Sequence, residues 1–269
     1  MEARAATAEP EARLPFEAEL QVVRALVRRA LNEIIRVPGA AIPGVLAPSI
    51  FMLGLSAVFG KLSDLPGFPV DSYISFLIPV SMMQGAAFAG AATGVNLARD
   101  IEQGWFDRLL LAPNSRISLL AGIVLSASIR CLLPATLLLI VGFAFGVTWP
   151  GVDGLLVALP VIMGMGAVAA SWGTVLALRF KSQSAAPLMQ SAMFVAVLFT
   201  TSYAPQELLT GWLSTVAQIN PVTHALEAVR QGFIGDVSWS ETWPGLVTVA
   251  GLTAGLALLA LRGLTRITR

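Results

Sequence analysis

The sequence predicts an all-α integral membrane protein with six transmembrane helices. Three observations support this fold class: 56% of the 269 residues are hydrophobic, 12% are charged, and the mean hydropathy is +0.77. Soluble domains carry about twice this share of charge, so the chain has too little polar surface to cover itself in water. We therefore expect lipid to cover much of the protein.

Six apolar runs account for the predicted spans, since a crossing helix needs ~20 apolar residues. The runs cover about 39–60, 73–97, 118–148, 154–178, 187–202 and 243–261. The fifth run is short and the third is too long. A helix from Ile117 to Val147 measures ~45 Å, whereas the hydrocarbon core is only ~30 Å thick.

Arg130 indicates which end of the third run protrudes from the bilayer. The stretch from Arg130 to Val147 measures ~27 Å as a helix, which is nearly a full crossing. We therefore expect Arg130 at the inner interface, where its side chain extends toward the headgroups. The alternative is a charge that faces substrate in a cavity.

Glycines four residues apart occur in three runs, at Gly90/Gly94, Gly142/Gly146 and Gly251/Gly255. Such pairs allow two helices to approach closely. They indicate contacts either within the bundle or with a second chain.

Residues 1–36 are predicted to form a cytoplasmic tail and an amphipathic helix that precede the membrane domain, residues 37–269. In residues 16–36, apolar side chains recur at helical spacing beside a basic face. The basic face contains Arg24, Arg28 and Arg36. This pattern predicts an interfacial helix on the inner membrane surface. The alternative is an amphipathic helix packed on the protein itself.

The basic residues predict the orientation in the membrane. With six spans and both termini in the cytoplasm, 14 of the 17 lysines and arginines fall in cytoplasmic parts, whereas Lys61 and Arg230 fall outside. This bias follows the positive-inside rule. We therefore predict a multi-pass protein of the cell's inner or plasma membrane with both termini cytoplasmic.

Residues 99–116, the charged segment, carry six charged side chains between the second and third runs. We expect Asp100 and Glu102 to begin a short helix, where acidic side chains complement the helix dipole. Trp105 and its apolar neighbours give this helix an apolar face, and Pro113 ends it. Apolar surface in water marks a partner site. The alternative is a solvated loop whose charges enforce the topology.

Residues 203–242, between the fifth and sixth runs, are divided by proline and glycine into two short amphipathic stretches. These stretches lie near Glu207–Gln218 and Val222–Phe233. The predicted topology places both helices on the outer face, an arrangement that lets them dip partway into the bilayer beside the short fifth span.

The charged segment resembles a signature of type-2 ABC export permeases, which include the daunorubicin-resistance, lipooligosaccharide and polysaccharide export permeases. That signature reads E-x-G-x-x-(D/E)-R-L…P-x-S-R. In this chain it is matched by Glu102, Gly104, Asp107-Arg108-Leu109, Pro113 and Ser115-Arg116.

A second block is similar to the outer-face segment that precedes the last span in the same family. It comprises Tyr203-Ala204-Pro205, Gly211-Trp212-Leu213, Asn220-Pro221-Val222-Thr223 and Glu227-Ala228-Val229-Arg230. The chain departs from the pattern at Thr201-Ser202-Tyr203, where many members carry Ser-Gly and a bulky residue. The resemblance covers nearly the whole chain, from the amphipathic helix to the sixth span.

The resemblance implies the permease subunit of an ABC exporter, paired with a second permease chain as a homodimer or with a homologue. It also implies two copies of a cytosolic ATPase, docked on the charged segment and touching the amphipathic helix. The implied coupling residues are Glu102, Gly104, Trp105, Phe106, Asp107, Arg108, Leu109, Pro113 and Arg116. The implied outer-face residues are Pro205, Asn220, Pro221 and Arg230.

We expect no catalytic residue, metal or cofactor in this chain, with ATP and Mg on the partner ATPase. Gly60-Lys61 does not complete a phosphate loop, because Leu55 replaces the first glycine and Leu62 the final Ser or Thr. The expected cargo is amphipathic or lipidic, such as a drug, a polyketide or a lipid-linked glycan. No acidic pair lies within the runs to carry protons or inorganic cations.

Two other classes of protein are weighed against the exporter. An ATP-independent secondary transporter or channel predicts ionisable residues at mid-membrane, and a membrane-embedded enzyme predicts clustered His, Asp, Glu or Ser. The chain has one histidine, His224, and a net charge of +1, which argues against a nucleic-acid partner. Its single cysteine, Cys131, excludes an internal disulfide and a zinc cluster.

Overall fold

The computed structural model describes residues 15–36, 42–66, 68–70, 72–111 and 115–267. Within these ranges the regular structure is helical and no strand occurs, which confirms the all-α class. The helices are α1 (Phe16–Arg36), α2 (Ile42–Phe59), α3 (Tyr73–Glu102), α4 (Trp105–Leu111), α5 (Arg116–Arg130), α6 (Leu132–Ala144), α7 (Gly151–Phe180), α8 (Ala186–Leu198), α9 (Trp212–Ile219), α10 (Val222–Ile234) and α11 (Trp239–Ile267). The predicted tail, residues 1–14, lies outside the described residues.

Five helical segments in the described ranges are long and apolar enough to cross a membrane. They are Gly44–Asp64, Tyr73–Glu102, Arg116–Ala144, Gly151–Phe180 and Trp239–Thr265. Each matches one of the predicted spans. The remaining predicted span, 187–202, corresponds to α8, which has 13 residues. Such a helix is only ~20 Å long, so the structure supports an integral membrane protein without establishing six full spans.

The centre of the bundle is α3, which is buried along almost its whole length. Of the most apolar 18-residue stretch of α3, 89% is buried inside the protein. The corresponding shares are 11% for the segment that contains α2 and 17% for α11. The helix packs against α2, α6, α7, α8 and α10. We name the two ends of the bundle after this helix: the charged end contains Glu102, and the opposite end contains Tyr73.

The tightest contact of α3 is with α7, along two pairs of glycines. Gly90 lies against Gly166, and Gly94 against Gly173, so the two helices run in the same direction. A Cβ atom on Gly94 would lie 2.4 Å from the Cα of Gly173. The predicted pair Gly90/Gly94 is therefore used within the bundle, as small residues at helix interfaces are in membranes.

The other two predicted glycine pairs do not lie against glycines of another helix. A Cβ atom on Gly142 would meet the side chains of Ile78 and Val147, whereas Gly251 and Gly255 have nothing within 4 Å of the position of a Cβ. The α11 pair is therefore open to lipid or to another chain.

The long third run is not one uninterrupted helix, because α5 ends at Arg130 and α6 begins at Leu132. Pro134 explains the break. Proline has no N–H to donate to the carbonyl of Arg130, four residues earlier, and its ring clashes with that carbonyl. Cys131 fills the break and donates its thiol to the Ser128 carbonyl, with 2.9 Å between sulfur and oxygen.

The region 203–242 folds differently from the predicted pair of surface helices. The first stretch is divided into a 3-10 turn, Gln206–Leu208, and the short helix α9. The second is α10, with bounds close to the prediction, but this helix packs into the bundle against α7, α11 and α3. Its Gly232 approaches Gly154 of α7 so closely that a Cβ on Gly232 would lie 2.4 Å from the Gly154 Cα.

Helix α1 lies along α5, where Leu26 packs against Gly122. Arg24, Arg28 and Arg36 are exposed, and Ala30 is buried. The amphipathic pattern is confirmed, and part of its apolar face is covered by the protein itself. Contact of the basic face with a membrane surface stays a prediction.

Replacing Gly94 with valine should destabilise the bundle by about 1–3 kcal/mol, because overpacking separates α3 from α7. The midpoint of thermal unfolding of the purified chain in detergent should fall by several degrees. Gly251→Val is the matched control, since its side chain enters open space, and it should leave the midpoint within about one degree. Equal midpoints for the two variants would contradict the assigned α3–α7 contact.

Candidate functional site: the charged end and the polar cluster opposite

The charged segment folds as a helix end, a tight turn and a short second helix. Asp100 and Glu102 lie in the last turn of α3, so the prediction that they begin a helix is wrong. The chain reverses at Gly104, whose φ of +70° favours glycine, and α4 follows directly. Pro113 lies outside the described residues. Ser115 then caps α5, and its Oγ accepts the Ser118 N–H at 3.1 Å.

Helix α4 buries one face and presents the other to solvent. Phe106 is 2% exposed and belongs to the hydrophobic core, with Leu109 half-buried beside it. Asp107 and Arg108 are exposed, and the side chain of Leu111 is 86% exposed. We call Asp107, Arg108 and Leu111 the α4 rim. Phe106 thus anchors the helix while the rim stays accessible.

Arg29 of α1 braces the charged segment, and the sequence patterns did not single it out. Its guanidinium carbon lies 4.0 Å from the centre of the Trp105 ring. Its Nη2 lies 3.2 Å from Oδ2 of Asp100. The side chain of Arg29 is about half exposed, so the ion pair contributes at most ~1 kcal/mol. The stacking on Trp105 contributes a similar amount.

Glu102 faces a turn of its own chain. One carboxylate oxygen, Oε1, accepts the Ser182 hydroxyl at 2.7 Å and the backbone N–H of Gln183 at 3.0 Å. The other, Oε2, accepts the Gln183 side-chain amide at 2.7 Å. Arg99 donates its Nε to the carbonyl oxygen of the same amide at 3.3 Å. Ser182 and Gln183 join α7 to α8, and the sequence patterns did not identify either residue.

Arg116, the last of the predicted coupling residues, begins α5 and is partly exposed. A cavity of about 70 Å³ lies between α1, α3, α4 and α5, with Arg130 in its wall. The Thr93 hydroxyl, also in this wall, is buried without a hydrogen-bond partner. Arg130 thus borders a cavity that is also lined by Arg29 and Asp100, and its position at the inner membrane interface stays a prediction.

The opposite end holds a buried polar cluster centred on Arg230, which is 1% exposed. Its Nη2 donates to the Thr201 carbonyl at 2.7 Å, and its Nη1 donates to Oε1 of Glu227 at 2.8 Å. The Thr201 hydroxyl also donates to Glu227. The guanidinium carbon lies 3.9 Å from the centre of the Phe76 ring on α3. Arg230 is thus buried in the protein, although it was expected in an amphipathic helix on the outer face.

Two tyrosines extend this cluster along α3. The Tyr73 hydroxyl donates to the Tyr203 carbonyl at 2.8 Å, and the Gln84 side-chain amide donates to the Tyr203 hydroxyl at 3.5 Å. These two hydrogen bonds link α3 to the turn after α8.

The predicted outer-face residues Asn220, Pro221 and Pro205 shape the backbone here. The Asn220 amide donates to the carbonyls of Ala196 and Phe199 at 2.7 and 2.8 Å, which caps the end of α8. Its side-chain oxygen accepts the N–H of Val222 at 3.0 Å, at the start of α10. Pro221 is the N-cap residue of α10, and Pro205 precedes the 3-10 turn.

At each end of the bundle the side chains form hydrogen bonds, ion pairs and packing contacts. In the described residues no three His, Cys, Asp or Glu side chains converge to hold a metal ion. The charged end offers an accessible rim on a braced helix, and the opposite end offers a buried ionic cluster. These features define a helical membrane protein with a distinct contact surface at one end.

The ABC-2 type transporter family model matches residues 21–234, from α1 to the end of α10. This match covers more than half of the chain, and the chain therefore belongs to the ABC-2 type transporter family. Membership confirms the resemblance drawn from the two motif blocks. The protein is a transmembrane permease of an ABC transporter, and the family implies an ABC ATPase as its partner.

Three relatives are named as drug permeases. The "Daunorubicin resistance ABC transporter permease protein DrrB1" of Streptomyces coeruleorubidus is 25% identical, over 87% of this chain and 82% of its own length. The "Probable doxorubicin resistance ABC transporter permease protein DrrC" of Mycobacterium tuberculosis is 29% identical over the same shares. The "Probable multidrug ABC transporter permease YbhR" of Escherichia coli is 28% identical, over 74% of this chain and 52% of its own length.

Replacing Arg29 with alanine should loosen the charged segment, because Asp100 of α3 loses its ion-pair partner and Trp105 of α4 loses the guanidinium stacked on its ring. Amide hydrogen exchange over residues 105–111 should become roughly three- to tenfold faster. The matched control is Arg28→Ala, which removes a neighbouring exposed arginine from the same helix. Equal protection of these amides in both variants would show that Arg29 does not hold the segment.

Proposed function

We propose that this permease moves an amphipathic or lipidic substrate outward and that a separate ATPase subunit, docked on residues 99–116, supplies the energy. The proposal rests on the exposure of the α4 rim to solvent. Asp107, Arg108 and the 86% exposed Leu111 project from a helix anchored by the buried Phe106. An exposed apolar side chain beside two charges suits a partner surface.

The distribution of basic residues supports a cytoplasmic position for this rim. Arg29 and Arg99 lie at the charged end with the α4 rim, and Arg179 and Lys181 end α7 beside the Glu102 contact. The positive-inside rule then assigns the charged end and both termini to the cytoplasm of a cell inner or plasma membrane. In this topology α8, together with the turn after it, serves as the fifth of six spans.

The buried cluster supports this role for the short α8. Irregular backbone at membrane depth is tolerated when protein covers its polar groups. Asn220 supplies that cover by capping the carbonyls of Ala196 and Phe199, and Arg230 does the same for the Thr201 carbonyl. The turn after α8, with its carbonyls covered in this way, can then complete a crossing that α8 alone is too short to make.

The assembly we propose contains two permease chains, identical or homologous, and two ATPase subunits that carry ATP and Mg. Gly60-Lys61 lacks the remainder of a phosphate loop, so nucleotide binding is assigned to the partner. Arg24, Arg28 and Arg36 on the exposed face of α1 are available to lipid headgroups or to the ATPase.

The relatives named for daunorubicin, doxorubicin and multidrug transport favour a drug-like amphipathic cargo.

Reversing the charges of the rim in the double variant Asp107→Lys/Arg108→Glu should weaken co-purification with the ATPase at least about tenfold. Mispaired charges across an interface cost several kcal/mol, and ~1.4 kcal/mol is a factor of ten. The matched control is Asp236→Lys/Lys61→Glu, which exchanges exposed charges of the same types at the opposite end. ATPase recovery that is unchanged in the rim variant would contradict docking at residues 99–116.

A further inference from the structure

The contact between Glu102 and the α7–α8 turn is more extensive than a chance surface contact. A carboxylate has about four acceptor positions, and three of them are filled by donors from Ser182 and Gln183. Gln183 is held from the other side as well, because its side-chain oxygen accepts the Nε of Arg99. One glutamine thus bonds to two charged residues in the last turn of α3, at the base of the charged segment.

Helix α8 begins immediately after this turn and packs on the bundle along one side, where Phe194 also contacts Phe51 of α2 and Phe88 of α3. Its buried side chains are Met189, Met193 and Val197, which are spaced four residues apart and therefore lie on one face. That face packs mainly on α3. A short helix that packs on one side can shift along its neighbours, as packed helices do in shear motions.

The far end of α8 leads directly into the polar cluster. Its last carbonyls accept hydrogen bonds from Asn220, and Thr201, three residues after the helix, binds Arg230. A continuous chain of contacts therefore runs from the charged segment through Gln183 and α8 to the opposite end. Such a chain transmits motion only if its links are energetically coupled.

We infer that Gln183 is a positioning residue that passes displacement of the charged segment to α8. The inference rests on the proposed function, since the ATPase supplies the displacement. Gln183 acts through Glu102 and Arg99 and touches no substrate. When the charged segment moves with the ATPase, the hydrogen bonds from Ser182 and Gln183 oblige the first turn of α8 to move with it. Loss of these bonds leaves α8 in place against α3.

The test uses the full chain in complex with its co-purified ATPase, in lipid nanodiscs. An environment-sensitive thiol fluorophore is placed on Leu111→Cys at the rim or on Leu188→Cys in the first turn of α8; both leucines are exposed. The native Cys131 is buried, so labelling is confined to the introduced cysteine. The fluorescence change on adding ATP and magnesium is recorded at each position.

In the otherwise unchanged protein both labels should respond to ATP. In Gln183→Leu the label at 111 should still respond, whereas the response at 188 should fall at least about tenfold, because the side chain loses its hydrogen bonds to both Glu102 and Arg99. Ser182→Ala should reduce the response at 188 in the same direction, so the test does not depend on a single variant. Ser184→Ala, which removes a neighbouring exposed hydroxyl that does not contact Glu102, is the matched control and should keep both responses.

The two proposals fail in different ways. A full response at 188 in Gln183→Leu, with a normal response at 111, would overturn the role of Gln183 and leave ATPase docking intact. No response at 111 in the unchanged protein would overturn docking on the charged segment, and the positioning role with it. Loss of ATP hydrolysis together with loss of complex assembly in Gln183→Leu would assign the residue to folding and would also overturn the inference.

Discussion

The burial of α3 is the constraint on which the rest of the structure depends. A 30-residue helix enclosed on nearly all sides needs neighbours that approach closely. In the membrane interior that approach comes from small residues and van der Waals contact, since lipid is as apolar as a leucine side chain. Gly90 and Gly94 let α7 meet α3 almost backbone to backbone, and α2, α6, α8 and α10 complete the enclosure.

Because α3 lies at the centre of the bundle, both of its ends contact distant parts of the chain. At one end its last turn carries Asp100, which binds α1, and Glu102, which binds the α7–α8 turn. At the other end Tyr73 and Phe76 contact the turn after α8 and the guanidinium of Arg230. Helix α8 links the same two regions by a second route. Two chains of contacts therefore join the charged segment to the opposite end, one along α3 and one along α8.

Sequence patterns predicted the helices well, because apolar periodicity and run length are local properties. They failed where contacts between distant residues decide the outcome. Arg230 was expected on the outer face, yet it is buried and pairs with the partly exposed Glu227 and with Thr201. No local signal distinguishes an amphipathic helix at the surface from one whose polar face is satisfied by a buried partner.

In the charged segment, too, contacts between distant residues were not predicted from the sequence. The family signature pointed to Glu102 and Arg108 alike, but the structure directs Glu102 toward its own chain and Arg108 toward solvent. Arg29 and Gln183, which bind this segment, are 71 and 81 residues from their partners in the chain. Their roles depend on how α1 and the α7–α8 turn pack against α3, which residue spacing does not encode.

The most direct measurement is the accessibility of the two ends of the bundle from outside the cell. A single cysteine at Leu111 or at Asp236, both exposed positions, is treated in intact cells with a membrane-impermeant maleimide. Labelling is expected at 236 in intact cells and at 111 only after the membrane is permeabilised. Labelling at 111 in intact cells would place the α4 rim outside, beyond the reach of any cytosolic ATPase.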